Sequence, residues 1–110
     1  MATMTKQKVG KVAEVPPGKM LGVQANDRFF VLANVDGKIF AMDGKCSHMG
    51  GELWKGKLTG KVVKCPRHGS EYDVTSGKVV GQVKIPLIGK AKDMKTWPVI
   101  VEGDDLYLDL

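Results

Sequence analysis

The sequence predicts a small all-β protein, an antiparallel sandwich or barrel of short strands. Fourteen glycines and five prolines divide its 110 residues into short runs that are rich in Val, Ile, Phe and Leu. Asp36-Gly37 separates two of these runs and is a strong hairpin signal, because both central positions of a tight hairpin turn favour positive φ. No stretch keeps a period of 3.6 residues over three turns, so no long helix is predicted.

Turn residues separate the strand-like runs along the whole chain. The predicted strands are Lys8–Val15, Met20–Ala25, Arg28–Val35, Lys38–Met42, Lys61–Lys64, Glu71–Thr75, Thr96–Glu102 and Leu106–Leu110. Pro16-Pro17-Gly18 forms the first predicted turn and Gly103-Asp104-Asp105 the last. We expect Met1–Gln7 to be frayed, and Trp54 and Trp97 to be packing residues.

One stretch differs in composition from the rest of the chain. Residues 43–81 contain both cysteines, both histidines and more than half of the glycines. A loop-rich stretch of this length inside a compact domain requires something that organises it. We therefore predict a single domain, residues 1–110, in which a loop-rich subdomain of about 43–81 is inserted into a β base formed by about 8–42 and 82–110.

The charge balance indicates the kind of partner. The net charge is +5 and the pI is about 9.3. Only Arg28 and Arg67 are arginines, and no nucleic-acid motif accompanies the lysines, so a basic solvated surface or an acidic protein partner is favoured over nucleic acid. Lys84–Lys95 is the densest basic stretch. The sequence contains no run of 18 apolar residues, so no membrane span is predicted. The first ten residues lack the apolar stretch of a secretory signal. Both observations favour the cytoplasm.

The only cysteines and histidines in the sequence fall into two mixed pairs. One residue separates Cys46 from His48, two separate Cys65 from His68, and sixteen residues lie between the pairs. Two cysteines exclude an all-cysteine iron–sulfur cluster, which needs four. Three interpretations remain: unrelated buried residues, a structural zinc site, or a 2Fe–2S centre with histidines on one iron. Zinc sites usually pair Cys with Cys and His with His, so the mixed pairs favour the third.

These pairs and their neighbours resemble the Rieske iron–sulfur family. The first pair matches its C-x-H-x-G-x-x-L pattern through Leu53, and the second matches C-P-x-H-G, followed by Tyr72-Asp73 and Thr75-Ser76-Gly77. The resemblance implies a β base with one cluster-bearing insertion and one Rieske-type 2Fe–2S cluster. The implied ligands are Cys46 and Cys65 on one iron and His48 and His68 on the other.

The resemblance also implies which residues surround the cluster. Ser70 and Tyr72 occupy positions whose hydroxyls hydrogen-bond to sulfur in high-potential members, and such bonds favour the reduced state. Leu53 is expected to exclude water near the cluster. Pro66 fixes a turn, and Gly69 gives the second loop its conformational freedom.

The positions of Gly51 and Arg67 indicate the branch of the family. Respiratory and photosynthetic members have cysteines at these two positions, joined as a disulfide. This chain has neither cysteine, so the resemblance is to Rieske-type ferredoxins and oxygenase components. It implies a one-electron carrier, and not an enzyme, that shuttles electrons between a reductase and a terminal oxidoreductase or oxygenase. The alternative is an obligate small subunit of a larger oxidoreductase complex. A mononuclear iron site needs two further histidines, and both histidines here are assigned to the cluster. We expect a monomer with acidic redox partners.

Overall fold

The computed structural model describes residues 6–45, 52–66, 69–81 and 92–109. Within these ranges the chain forms strands and two single-turn 3-10 helices, and no helix there is long or apolar enough to cross a membrane. The strands are β1 (Lys6–Lys11), β2 (Met20–Ala25), β3 (Arg28–Val35), β4 (Lys38–Asp43), β5 (Lys57–Thr59), β6 (Val62–Lys64), β7 (Glu71–Asp73), β8 (Val79–Gly81), β9 (Thr96–Trp97), β10 (Val99–Glu102) and β11 (Asp105–Asp109). The 3-10 helices are Val12–Glu14 and Leu53–Lys55. The predicted all-β class is confirmed.

The strands form three antiparallel sheets. Their orders are β1-β11-β10, β2-β3-β4-β9 and β5-β6-β7-β8. All four strands of the third sheet lie within residues 57–81, so the segment predicted to be loop-rich also carries a small sheet of its own. Its strands have three residues each, too few for an alternating pattern to stand out in the sequence. The division into a cluster-binding subdomain and a β base stays a prediction.

Tight turns with positive φ set the register of the second sheet. Asp36 and Gly37 have φ of 53° and 93°, which confirms the predicted hairpin between β3 and β4. Asn26 and Asp27, with φ of 51° and 60°, make the same kind of turn between β2 and β3. Asn and Asp tolerate this left-handed region better than most residues, because their short polar side chains can hydrogen-bond locally.

Two predicted strands differ in more than their end residues, whereas the ends of Lys38–Met42, Lys61–Lys64, Glu71–Thr75 and Leu106–Leu110 each shift by one or two residues. β1 begins at Lys6 and includes Gln7, both expected to be frayed, because β11 pairs with them; the chain then turns into a 3-10 helix at Val12. The predicted strand Thr96–Glu102 is broken at Pro98, which has no N–H to donate to a strand partner. Before the break β9 pairs with β4, and after it β10 pairs with β11.

β3 lies between two hydrophobic clusters. Val31 and Ala33 face one cluster, Phe30 and Leu32 face the other, and all four are buried. The first cluster consists of Val31, Ala33, Met42, Leu53, Val63, Cys65, Tyr72, Val74 and Met94. It joins the second sheet to the third and contains three residues that the sequence places at the metal centre. Trp54 packs against this first cluster and Trp97 against the other, as predicted.

Candidate metal centre

The second Cys/His loop grows out of the β6–β7 hairpin. Lys64 pairs with Glu71, so Cys65 lies opposite Ser70, and the Cys65 N–H donates to the Ser70 carbonyl at 2.8 Å. Gly69, with φ of 78°, donates its N–H to the Cys65 carbonyl at 3.3 Å. Cys65 is 3% exposed and Ser70 is fully buried. The thiol is therefore fixed at the base of this loop.

The outer part of the second loop is only partly described. Pro66 follows Cys65 on the exposed side, at the position of the predicted turn. Gly69 is buried and has the positive φ that its conformational freedom allows. His68 and Arg67 lie outside the described residues.

The first Cys/His loop is closed at its base by short-range pairing. Lys45 and Glu52 form an isolated antiparallel bridge, and the Leu53 N–H donates to the Gly44 carbonyl at 2.8 Å. The Gly44 N–H in turn donates to the Phe29 carbonyl at 2.8 Å, which joins the loop base to β3. Cys46, His48 and Gly51 lie outside the described residues. The described anchors nevertheless stand directly before Cys46 and directly after Gly51.

The two loop bases meet in one hydrophobic cluster. Leu53 from the first loop packs in the same buried group as Cys65 and Tyr72 from the second hairpin, and Leu53 and Tyr72 are fully buried. The structure therefore brings together residues that the sequence places in separate motifs. A shared apolar base gives both loops a common frame and keeps water away from it.

Trp54 occupies a cradle that the sequence analysis did not find. A Cβ at Gly22 would overlap the indole ring, and one at Gly44 would lie 2.9 Å from Cζ3 of the ring. Phe29 stacks on the same indole ring, with ring centroids 5.4 Å apart. The signal was available in the sequence, since glycine inside a strand often marks a close approach by another group. Trp54 thus ties the first loop to β2 and β3.

Asp73, the acidic residue of the second motif, holds the turn that follows β7. Its carboxylate accepts bonds from the Thr75 N–H at 2.9 Å and the Thr75 hydroxyl at 2.6 Å, and Lys61 Nζ lies 3.2 Å away. Burial on its own would raise the pKa of Asp73, but these hydrogen bonds and the lysine hold it below its usual value.

Gly77 is in close backbone contact with Met94. A Cβ there would overlap the Met94 carbonyl oxygen, and the Met94 N–H donates to the Gly77 carbonyl at 2.6 Å. One residue further on, the Lys95 carbonyl accepts from the Asp43 N–H at 3.0 Å. The segment at 92–95 therefore joins the turn after β7 to the end of β4.

The residues present fit a 2Fe–2S cluster with mixed ligands. The described thiol, that of Cys65, is buried on a fixed backbone beside Ser70 and Tyr72, where water is excluded. In the sequence, Cys46 directly follows the anchor Lys45, His48 comes three residues after it, and His68 directly precedes Gly69. Two thiolates and two imidazoles are the donor set of a Rieske centre, in which two histidines replace two cysteines on one iron.

Comparison with known proteins decides the family. The model of the Rieske [2Fe-2S] domain matches residues 5–98. The chain belongs to this family. The cofactor is therefore a Rieske-type 2Fe–2S cluster, as the two motifs predict.

The similar proteins include several ferredoxins. The chain is 32% identical over 109 residues to the ferredoxin component of the naphthalene 1,2-dioxygenase system of Pseudomonas aeruginosa, covering 97% of this chain and 99% of that one. It is 36% identical over 107 residues to the biphenyl dioxygenase ferredoxin subunit of Pseudomonas sp. strain KKS102, covering 96% and 93%. A solved Sphingomonas yanoikuyae B1 ferredoxin superposes with a TM-score of 0.81 at 28% identity, covering 96% and 99%. The chain is thus a Rieske-type ferredoxin, an electron carrier and not an enzyme.

Proposed function

We propose that this ferredoxin carries single electrons from a reductase to the terminal oxygenase of an aromatic-ring dioxygenase system. The observation that carries the proposal is the match along nearly the whole chain to ferredoxin components named for naphthalene and biphenyl dioxygenase systems. The chemistry that the bound cluster supplies is the uptake and release of one electron without making or breaking a bond.

Cys46, His48, Cys65 and His68 are the proposed ligands. Cys65 supports this assignment by its burial and by the bonds that fix both of its backbone polar groups. A ligand fixed in this way keeps the same position in both redox states, which reduces the reorganisation that accompanies electron transfer. For Cys46 the support is its position in the sequence, directly after Lys45, which is paired with Glu52.

The residues around Cys65 have separate roles in the proposal. Leu53 and Tyr72 exclude water from the ligands, since both are fully buried in the same hydrophobic cluster as Cys65. The hydroxyls of Ser70 and Tyr72 stabilise the reduced, more negative state, as polar hydrogens near sulfur do in general. Pro66 and Gly69 shape the loop between the second cysteine and histidine.

The proposal also covers the cellular setting. Assigning both cysteines to the cluster leaves none for a stabilising disulfide, which suits a reducing compartment such as the cytoplasm. The protein acts as a monomer that binds the reductase and the oxygenase in turn, each through an acidic surface. Gel filtration of a native extract tests this: elution as a small protein supports the carrier, and co-elution with a large complex supports an obligate subunit.

Spectroscopy of the purified protein tests the function itself. We expect two irons per chain and, after reduction, a rhombic EPR signal with an average g below that of all-cysteine 2Fe–2S clusters. A Cys65→Ala variant should lose this signal, whereas a Met94→Leu variant, changed in the same hydrophobic cluster, should keep it. Zinc in place of iron, or a signal of the all-cysteine type, would refute the proposal.

A further inference from the structure

Two lysines face each other directly across the β5–β6 hairpin. Lys57 and Lys64 are Cα partners in this antiparallel pair, both are exposed, and between them Leu58 and Val63 turn inward. Like charges that are directly opposite in an antiparallel pair destabilise a sheet. Lys64 precedes the ligand Cys65 in the sequence, so this repulsion stands at the edge of the metal centre.

The charge of this pair is not neutralised within the described part of the chain. Lys6, Lys8 and Lys61 each lie within 4 Å of a carboxylate, whereas neither Lys57 nor Lys64 forms an ion pair there. Glu71 is the next residue in the same cross-strand row, but its carboxylate lies over Gly81 on the far side of β7. The two ammonium groups therefore remain available to an outside anion.

Two further lysines extend this positive surface towards the first loop. Lys45 precedes the ligand Cys46, and Lys55 follows the cradled Trp54. Their only carboxylate partner among the described residues is Glu52, at 4.0 Å from Lys45 and 2.8 Å from Lys55. One carboxylate shared by two lysines leaves a net positive charge at this loop base as well.

We infer that Lys57 and Lys64, together with Lys45 and Lys55, form the docking surface for an acidic face of the redox partner. This inference rests on the proposed function and assigns the partner's charge to a place in the fold. Carboxylates of the partner would lie between the two ammonium groups. This role explains why the sheet contains a pair of like charges that lowers its stability. Lys45 and Lys64 directly precede Cys46 and Cys65 in the sequence, so this positive charge also attracts small anionic oxidants to the metal centre.

The test compares two double variants that remove the same charge from different places. Lys57→Gln with Lys64→Gln removes the cross-strand pair. Lys19→Gln with Lys38→Gln is the matched control, because both lysines are exposed and Lys38 is separated from the loop-bearing end of β4 by about 17 Å of strand. Reduced protein is mixed with ferricyanide, an anion, or with tris(phenanthroline)cobalt(III), a cation; each takes one electron from the reduced protein.

We expect the first double variant to react with ferricyanide at least roughly threefold more slowly at low ionic strength and faster with the cobalt complex. It should also bind poly-L-glutamate, used as the acidic probe in calorimetry, several-fold more weakly. Its unfolding temperature should equal or exceed that of the wild type, because the repulsion is gone. The control should match the wild type in all of these measurements.

Equal changes in both double variants would show an effect of net charge alone and would overturn the inference. Unchanged rates and poly-L-glutamate affinity in the first variant would do the same. Both results leave the proposed function intact if the EPR signal and one-electron reduction are present. Absence of the cluster from wild-type protein would overturn the proposed function, and the inference with it.

Discussion

Gly22 of β2 lies directly against the indole ring of Trp54, so close that a Cβ at this position would overlap the ring. The two residues are far apart in the sequence, and their contact joins the base of the first Cys/His loop to the second sheet. We expect Gly22→Ala to displace the tryptophan and to destabilise the protein by roughly 1–3 kcal/mol, the usual cost of overpacking. Thermal unfolding and tryptophan emission measure the effect.

Two companion variants make this prediction specific. Gly10→Ala is the control, because the nearest atom to its Cβ would be Oε1 of Glu14, 3.0 Å away at the end of a flexible side chain, and no aromatic ring lies near. Adding Trp54→Leu to Gly22→Ala should restore part of the lost stability, since it removes the overlapping ring. A Gly22→Ala protein with wild-type stability and tryptophan emission would contradict the cradle.

Asp73 makes the folding stability of the protein depend on pH. Its pKa is held below the usual value, so it contributes stability at neutral pH that is lost as the pH falls through the folded-state pKa. We expect Asp73→Asn to cost about 1–2 kcal/mol at pH 7, because bonds to a charged acceptor are lost. The difference between the variant and the wild type should shrink towards pH 3. Denaturant unfolding across this pH range tests it.

An exposed aspartate provides the control for Asp73. Asp104 lies in the β10–β11 turn and has no side-chain hydrogen bond or ion pair within the described ranges. Asp104→Asn should therefore leave both the stability and its pH dependence nearly unchanged. If Asp73→Asn gave the same flat result, the bonds to Thr75 and Lys61 would have no energetic role.

Tyr72 offers a test of the reduction potential. It is fully buried in the hydrophobic cluster that contains Cys65, and we expect its hydroxyl to stabilise the reduced state of the 2Fe–2S cluster. Tyr72→Phe should lower the potential by tens of millivolts, since about 1 kcal/mol corresponds to roughly 40 mV for one electron. Protein-film voltammetry measures this shift. Tyr107→Phe, on β11, is the control, and an unshifted potential in folded Tyr72→Phe would refute the role.

Asn34 links the β3–β4 hairpin to the chain before β2. It is 3% exposed, its amide donates to the Val15 carbonyl at 2.8 Å, and its side-chain oxygen accepts from the Gly37 N–H at 2.8 Å. We expect Asn34→Ala to destabilise the protein by about 1–3 kcal/mol, because Val15 is fully buried and its carbonyl loses a partner. Asn26→Ala probes only turn strain, so a loss of stability confined to that variant would contradict this role for Asn34.

Local signals in the sequence predict much of the fold and the metal chemistry. Asp36-Gly37 specifies its hairpin through φ preferences of two adjacent residues, and the spacing of Cys65 and His68 is typical of one loop. Gly22 inside a strand-like run signals a close approach, but that Trp54 is the residue that approaches depends on how the sheets pack, which no short pattern encodes. The break at Pro98 is predictable, because proline has no N–H to donate to a neighbouring strand. That β9 pairs with β4 before the break and β10 with β11 after it follows from the tertiary arrangement.

The pairing of β1 with β11 has a consequence for biosynthesis. Residues 6–11 bond to residues 105–109, so the first strand of this sheet lacks its neighbour until about a hundred further residues have been synthesised. β5 to β8, by contrast, pair over short loops, and contacts between nearby residues form faster than distant ones. We expect the nascent chain to order the surroundings of Cys65 well before β1 is paired. We therefore expect the surroundings of Cys65 to be ready for iron before the first sheet closes.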